Sequence, residues 1–247
     1  MTCRLLLAAG VSFLMTVAPA SGGTPFGGDD TGFVPPSPPN KRCSEAVHKG
    51  TSKLARCLFK CHIKAADSAL KGKAFDEELC EQAKCLQKFA AKGAKLIAAG
   101  GCPSCLDATG QDAIATQLEG FVDSINGDVY CTPGTPLGGD DPGNVPPDTN
   151  TARCQSKMQT NLARFMNCVR LGHKKAARQA FRGDAFNDEA LEQACRALYN
   201  NAILPCAACL DATAEGDLAT QAEQFADDNL GAVYCASPSG AFVGERY

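Results

Sequence analysis

Tryptophan is absent from this 247-residue chain, and aromatic residues of all kinds make up only 6% of it. A core built on Ala and Leu in place of large rings gains less from burial per residue, so covalent reinforcement is expected. Strong positive charge is missing as well. The 24 Lys and Arg residues face 27 Asp and Glu, a formal net charge of −3, which lacks the basic footprint of a nucleic-acid or anionic-lipid binder. Beyond the first twenty residues no apolar run is long enough to cross a bilayer, and no segment shows a convincing strand alternation. No Ser, His and Asp set can be assembled, and His48 has no counterpart elsewhere in the chain. The sequence therefore assigns no catalytic residue, no cofactor and no metal.

What the chain does have is cysteine. Residues 1–20 read as a secretory signal, with Arg4, an apolar run from Leu5 to Val17, and Ala18-Pro19-Ala20 as a small-residue cleavage site. Cleavage after Ala20 takes Cys3 away and leaves fourteen of the fifteen cysteines. An even number in an exported chain implies disulfides. The expected location is secreted or periplasmic, with no transmembrane segment in the mature chain and a protein or cell-envelope partner whose identity the sequence leaves open.

The remainder is one unit written twice. The run TPFGGDDTGFVPP from Thr24 recurs as TPLGGDDPGNVPP from Thr135, a shift of 111 residues. Cys43, Cys57 and His62 match Cys154, Cys168 and His173 at that shift, and Glu81-Gln-Ala83 matches Glu192-Gln-Ala194. After a shortening in the second copy, CPSCLDAT from Cys102 matches CAACLDAT from Cys206, and Val129-Tyr-Cys131 matches Val233-Tyr-Cys235. These matches predict two tandem units at 43–131 and 154–235, preceded by linkers at 21–42 and 132–153 and followed by a flexible tail at 236–247. Gly, Pro and Asp in the linkers favour exposed, extended chain. Asp29-Asp30 and Asp140-Asp141 lack the spaced oxygens and distal Glu of a calcium loop.

Within unit one, Cys43, Val47, Leu54, Cys57 and Cys61 recur at helical spacing. Gly72 is placed to end that helix, Asp76 to cap a second helix running to Gly100-Gly101, and Pro103 to open a third with Ile114, Leu118, Phe121, Val122 and Ile125 on its apolar face. The fold class is all-α: two disulfide-stapled three-helix domains on an extended Gly/Pro/Asp linker.

The pairs Cys61/Cys80 and Cys57/Cys85 nest around one turn at Lys71-Gly72, as two bridges across a helical hairpin would. Cys80 and Cys85 share a face only if the helix between them is irregular, since five residues turn a regular helix about 140° past its start. Unit one has eight cysteines and unit two six. Those missing, at Gly172 and Leu191, are the counterparts of Cys61 and Cys80, and joint loss leaves no stranded thiol. Cys61 is therefore paired with Cys80, Cys57 with Cys85, and Cys168 with Cys195. Among Cys43, Cys102, Cys105 and Cys131, and among Cys154, Cys206, Cys209 and Cys235, the pairing stays open; helix topology favours Cys43 with Cys102 or Cys105.

Several motifs have a second reading. Cys57, Cys61 and His62 resemble a haem c attachment sequence lengthened by one residue, but Gly172 breaks it in unit two. Cys102-Pro-Ser-Cys105 and Cys206-Ala-Ala-Cys209 have thiol-exchange spacing without the alternating strands and helices of thioredoxin-like proteins. A redox protein is thus the alternative to a disulfide-rich structural or interaction module. Lys49, Lys53, Arg56, Lys60 and Lys64 form a stripe best read as a solvated face. The acids from Asp76 to Glu78 suit a helix start. The Gly-Gly-Asp-Asp linker ending in Val-Pro-Pro, the Cys-x-x-Cys-Leu-Asp-Ala-Thr segment and the closing Tyr-Cys together resemble secreted, cysteine-rich tandem-repeat proteins of bacteria. That resemblance implies export and a disulfide framework, and brings no activity.

Overall fold

Ser37 and the two prolines after it start the first long helix. Pro38–Leu70 (α1) runs for 33 residues with Ser37 as its cap, about 50 Å of helix. It ends where Gly72 takes a positive φ of 62°. The computed structural model describes residues 23–27, 30–139, 141–202, 206, 208–237 and 239–243, so the expected signal at 1–20 lies outside the described residues.

Asp76 accepts from the Leu79 amide at 2.9 Å and opens Glu77–Cys80 (α2), which continues through a π-helical turn at Glu81–Leu86 into Gln87–Ala98 (α3). The π turn supplies the irregularity required between Cys80 and Cys85. Its origin is one residue: Cys195 directly follows the shared Glu-Gln-Ala in unit two, whereas Lys84 intervenes before Cys85 in unit one. A single insertion absorbed as an i→i+5 turn preserves the faces on either side of it. Pro103 precedes a short 3₁₀ turn, Ser104–Leu106, and the third helix starts later than expected. Asp107 caps Ala108–Val129 (α4), accepting from the Gly110 amide at 2.8 Å.

Unit two repeats this plan as Thr149–Arg182 (α5), Asp188–Ala202 (α6, without a π turn) and Ala212–Val233 (α7). The two long helices α1 and α5 pack together, and one hydrophobic core runs through both units, from Val47, Leu58 and Leu118 to Leu162, Val169 and Ala222.

The units are related by an approximate twofold exchange. Phe121 and its counterpart Phe225 stack on each other, with centroids 4.1 Å apart and planes 6° from parallel. Arg178 on α5 makes a two-pronged ion pair with Glu45 on α1 at 2.8 and 2.7 Å.

The described parts of the linkers are docked on the units and not free in solvent. Pro25–Gly27 (β1) and Asp30–Phe33 (β2) pair antiparallel, and the Phe33 amide donates to Tyr234 O at 3.0 Å. The second linker makes the counterpart bond, Asn144 N to Tyr130 O, at 2.8 Å. Each linker therefore docks on the closing Tyr-Cys of one unit, the first on unit two and the second on unit one. These strands are too short to show a period in sequence, and packing against a helix end stabilises them. The described end of the expected flexible tail, residues 239–243, also folds back: Val243 N donates to Cys235 O at 2.8 Å and Phe242 meets Phe33 edge-on.

Candidate metal centre

Each of the fourteen cysteines from Cys43 to Cys235 lies in a bridge. Cys57 joins Cys85, Cys61 joins Cys80, and Cys168 joins Cys195. Cys43 joins Cys102 and Cys154 joins Cys206. The last two bridges cross between units in reciprocal fashion, Cys105 to Cys235 and Cys131 to Cys209. Neither Cys-x-x-Cys pair closes on itself, as an exchange dithiol would, and Cys57 and Cys61 are both bridged elsewhere instead of presenting a thioether pair beside His62. Lys49, Lys53, Arg56, Lys60 and Lys64 are all exposed.

The chemistry lies next to the staples. His62 follows Cys61 on α1, and Glu81 follows Cys80 at the first residue of the π turn, so the Cys61–Cys80 bridge holds those two side chains opposite each other. His62 Nε2 lies 3.0 Å from Glu81 Oε1, 3.4 Å from Asp123 Oδ1 on α4, and 3.7 Å from Glu77 Oε1 on α2. Its other nitrogen, Nδ1, lies 3.2 Å from Oδ2 of Asp141, which comes from the second linker. The imidazole is fully buried, and none of these oxygens lies in line with a ring N–H to make a well-formed hydrogen bond. The acids gathered around one ring outnumber the hydrogens it has to give.

Unit two assembles the same three residue types from the same elements. His173 on α5, Glu192 on α6 and Asp227 on α7 are the repeat counterparts of His62, Glu81 and Asp123. His173 Nε2 contacts Glu192 Oε1 and lies 3.2 Å from Asp227 Oδ1. Here Gly172 and Leu191 stand where the disulfide was, and a Cβ placed on Gly172 would meet Leu191 Cδ2 at 3.3 Å. A leucine packed onto a glycine takes the place of the covalent clamp.

No family model, curated protein or solved structure matches this chain.

The spacing of the donor atoms fits a bound cation. Metal–nitrogen and metal–oxygen bonds of about 2.0–2.2 Å in a tetrahedral site put the ligands about 3.3–3.6 Å from one another, and in unit one the donors lie 3.0–3.7 Å from Nε2, whereas in unit two Glu192 is in closer contact with His173. In each trio, and also in the group of His62 with Glu77 and Asp141, the ligand atoms all fall within 4.8 Å of one another. The electrostatics agree. Burial opposes charge on His62, but the carboxylates of Asp123, Asp141 and Glu81 overcome it and the ring is pushed up to about 12. Burial, with Glu81 close by, pushes Glu77 up to about 9, and burial raises Asp123. Partly buried acids whose proton affinity burial has raised are groups whose charged form a divalent cation would favour.

The sequence alone points to no metal here and places Glu77 at a helix start. Asp76 does cap α2, while Glu77 turns inward to His62. A signal was present: His62, Glu81 and Asp123 are each kept in the second unit, although most polar positions between them change.

Proposed function

We propose that this protein is an exported, disulfide-locked module that binds divalent first-row metal ions such as Zn²⁺, one in each repeat. The observation that carries the reading is the duplicated trio, with histidine and glutamate buried and aspartate half-buried: His62 with Glu81 and Asp123, and His173 with Glu192 and Asp227. One imidazole with several carboxylates suits zinc, iron and manganese better than soft, thiolate-seeking ions. Export is supported by the leader-like start of the sequence and by the seven bridges; no helix among the described residues is apolar enough to cross a membrane. The resemblance to secreted bacterial cysteine-rich repeat proteins points the same way. The bridges position the ligand-bearing helices before any ion arrives, so metal affinity is not spent on folding them.

Elemental analysis of oxidised protein, stripped with chelator and dialysed against Zn²⁺, tests this. Two ions per chain are expected, one from each trio, falling by one in His62→Ala and by one in His173→Ala. Stripped protein that takes up no zinc would refute the reading.

A further inference from the structure

The second linker carries an acid that the helical framework of unit one does not provide. A metal-binding imidazole works through one nitrogen while the other donates its N–H to a carboxylate or carbonyl, which fixes tautomer and ring orientation. In unit one Nε2 faces the oxygens of Glu77, Glu81 and Asp123, and Nδ1 faces Asp141 Oδ2 at 3.2 Å. The Asp141 side chain is only 5% exposed although it sits in a Gly- and Pro-rich connection.

The backbone around Asp141 is tied to the same unit. Asn126 Nδ2 donates to Pro142 O at 3.0 Å, Leu137 N to Gly143 O at 3.0 Å, Asn144 N to Tyr130 O at 2.8 Å and Val145 N to Thr135 O at 2.7 Å. These bonds close a loop whose inward-pointing acid rests on His62. Neither nitrogen of that fully buried ring makes a well-formed hydrogen bond to the oxygens around it, the Nδ1–Asp141 approach included, and an unpartnered imidazole aimed into the acids points to an ion on the Nε2 side.

We propose that Asp141 is a positioning residue for the unit-one centre, so that filling this centre with a divalent ion fastens the inter-repeat segment 132–148 onto α1 and α4. This rests on the metal-binding reading above. It accounts for a feature of the sequence that a mere spacer does not: the Gly-Gly-Asp-Asp run is duplicated together with the histidine and the acids. A spacer has no reason to keep its acids, whereas a clasp does.

The test is hydrogen exchange by mass spectrometry on the full oxidised chain carrying His173→Ala, so that only the unit-one centre takes up the probe, Zn²⁺. Zinc should slow exchange at the Leu137, Asn144 and Val145 amides by about tenfold or more. With Asp141→Asn, zinc affinity should fall about 10- to 100-fold, the usual loss when a carboxylate behind a ligating histidine is removed, and the zinc-dependent protection should vanish. Asp141→Glu should restore part of both. Co²⁺ in place of zinc should give a visible spectrum that shifts in Asp141→Asn, which a purely structural role for the loop would not produce. If zinc binds but neither its affinity nor the exchange of 132–148 depends on Asp141, the clasp is wrong and the metal reading stands. If His173→Ala protein binds no zinc while the unsubstituted chain does, the clasp is likewise wrong. If the unsubstituted chain binds none, both readings fail.

Discussion

His48 is fully enclosed between α1 and α5, with its ring 6.3 Å from that of Tyr234. Burial, with Arg170, His173 and Lys174 adding positive charge nearby, pushes it down to about 3 from its ordinary 6.5. In the folded state it stays neutral, while in the unfolded chain it takes a proton below 6.5. Stability contributed by the neutral ring is therefore full above about 6.5 and is lost as pH falls towards 3, at about 1.4 kcal/mol per pH unit from this one group. Denaturant melts of His48→Gln against the unsubstituted protein, from pH 7 to pH 4, should show a shallower loss in the variant; identical slopes would mean that His48 is solvated. A second residue-scale expectation concerns the clamp beside His62. Changing Cys61→Gly together with Cys80→Leu copies unit two, and should give a folded protein without free thiol, destabilised by about 2–4 kcal/mol through the lost cross-link. Either change alone should leave one titratable thiol. At this scale the cysteines were readable because a pair can be recognised by its joint absence from the other copy. Glu81 and Asp123 were not. Exposed acids are common on helices, and only folding shows that these two converge on a buried ring.

At the scale of elements, the helices are legible from period and caps, and the docking of the linkers is not. Composition rich in Gly, Pro and Asp predicts solvated chain when nothing nearby accepts it. Here the closing Tyr-Cys of each unit offers a carbonyl, Tyr130 O or Tyr234 O, and the linker amides of Asn144 and Phe33 take it. Gly143, at a φ of 121°, lies against Tyr130, where a side chain would be both strained and crowded. Limited proteolysis of the native, metal-loaded protein should accordingly spare 132–148, with cuts there appearing only after chelation or partial unfolding. Rapid native cleavage in that segment would show that it is not docked. The π turn was half readable: the awkward five-residue step from Cys80 to Cys85 demanded an irregularity, and comparing the copies identifies Lys84 as the extra residue.

The whole molecule is more tightly joined than a pair of beads. Reciprocal bridges Cys105–Cys235 and Cys131–Cys209, the Phe121–Phe225 stack and the Glu45–Arg178 pair all cross between units. Sequence could locate the repeat but not this exchange, because four cysteines per unit pair equally well within a unit or across it. Arg178 holds Glu45 down to about 2, yet the pair is partly exposed and contributes at most about 1 kcal/mol; the covalent bridges dominate the union. A protease site inserted at the exposed Gly138-Gly139 turn should, once cut, leave halves that migrate as one species until reductant is added. Halves that separate without reductant would mean that each unit closes its bridges internally.

The central claim is that both units hold a divalent ion on the buried histidine. Anomalous diffraction at the zinc edge, from crystals of zinc-loaded protein, tests it most directly. The account predicts two peaks, one about 2.0–2.2 Å from His62 Nε2 among Glu77, Glu81 and Asp123, the other at the same distance from His173 Nε2 beside Glu192 and Asp227. A map from zinc-loaded crystals with no peak at either histidine, and well-ordered side chains there, would contradict it.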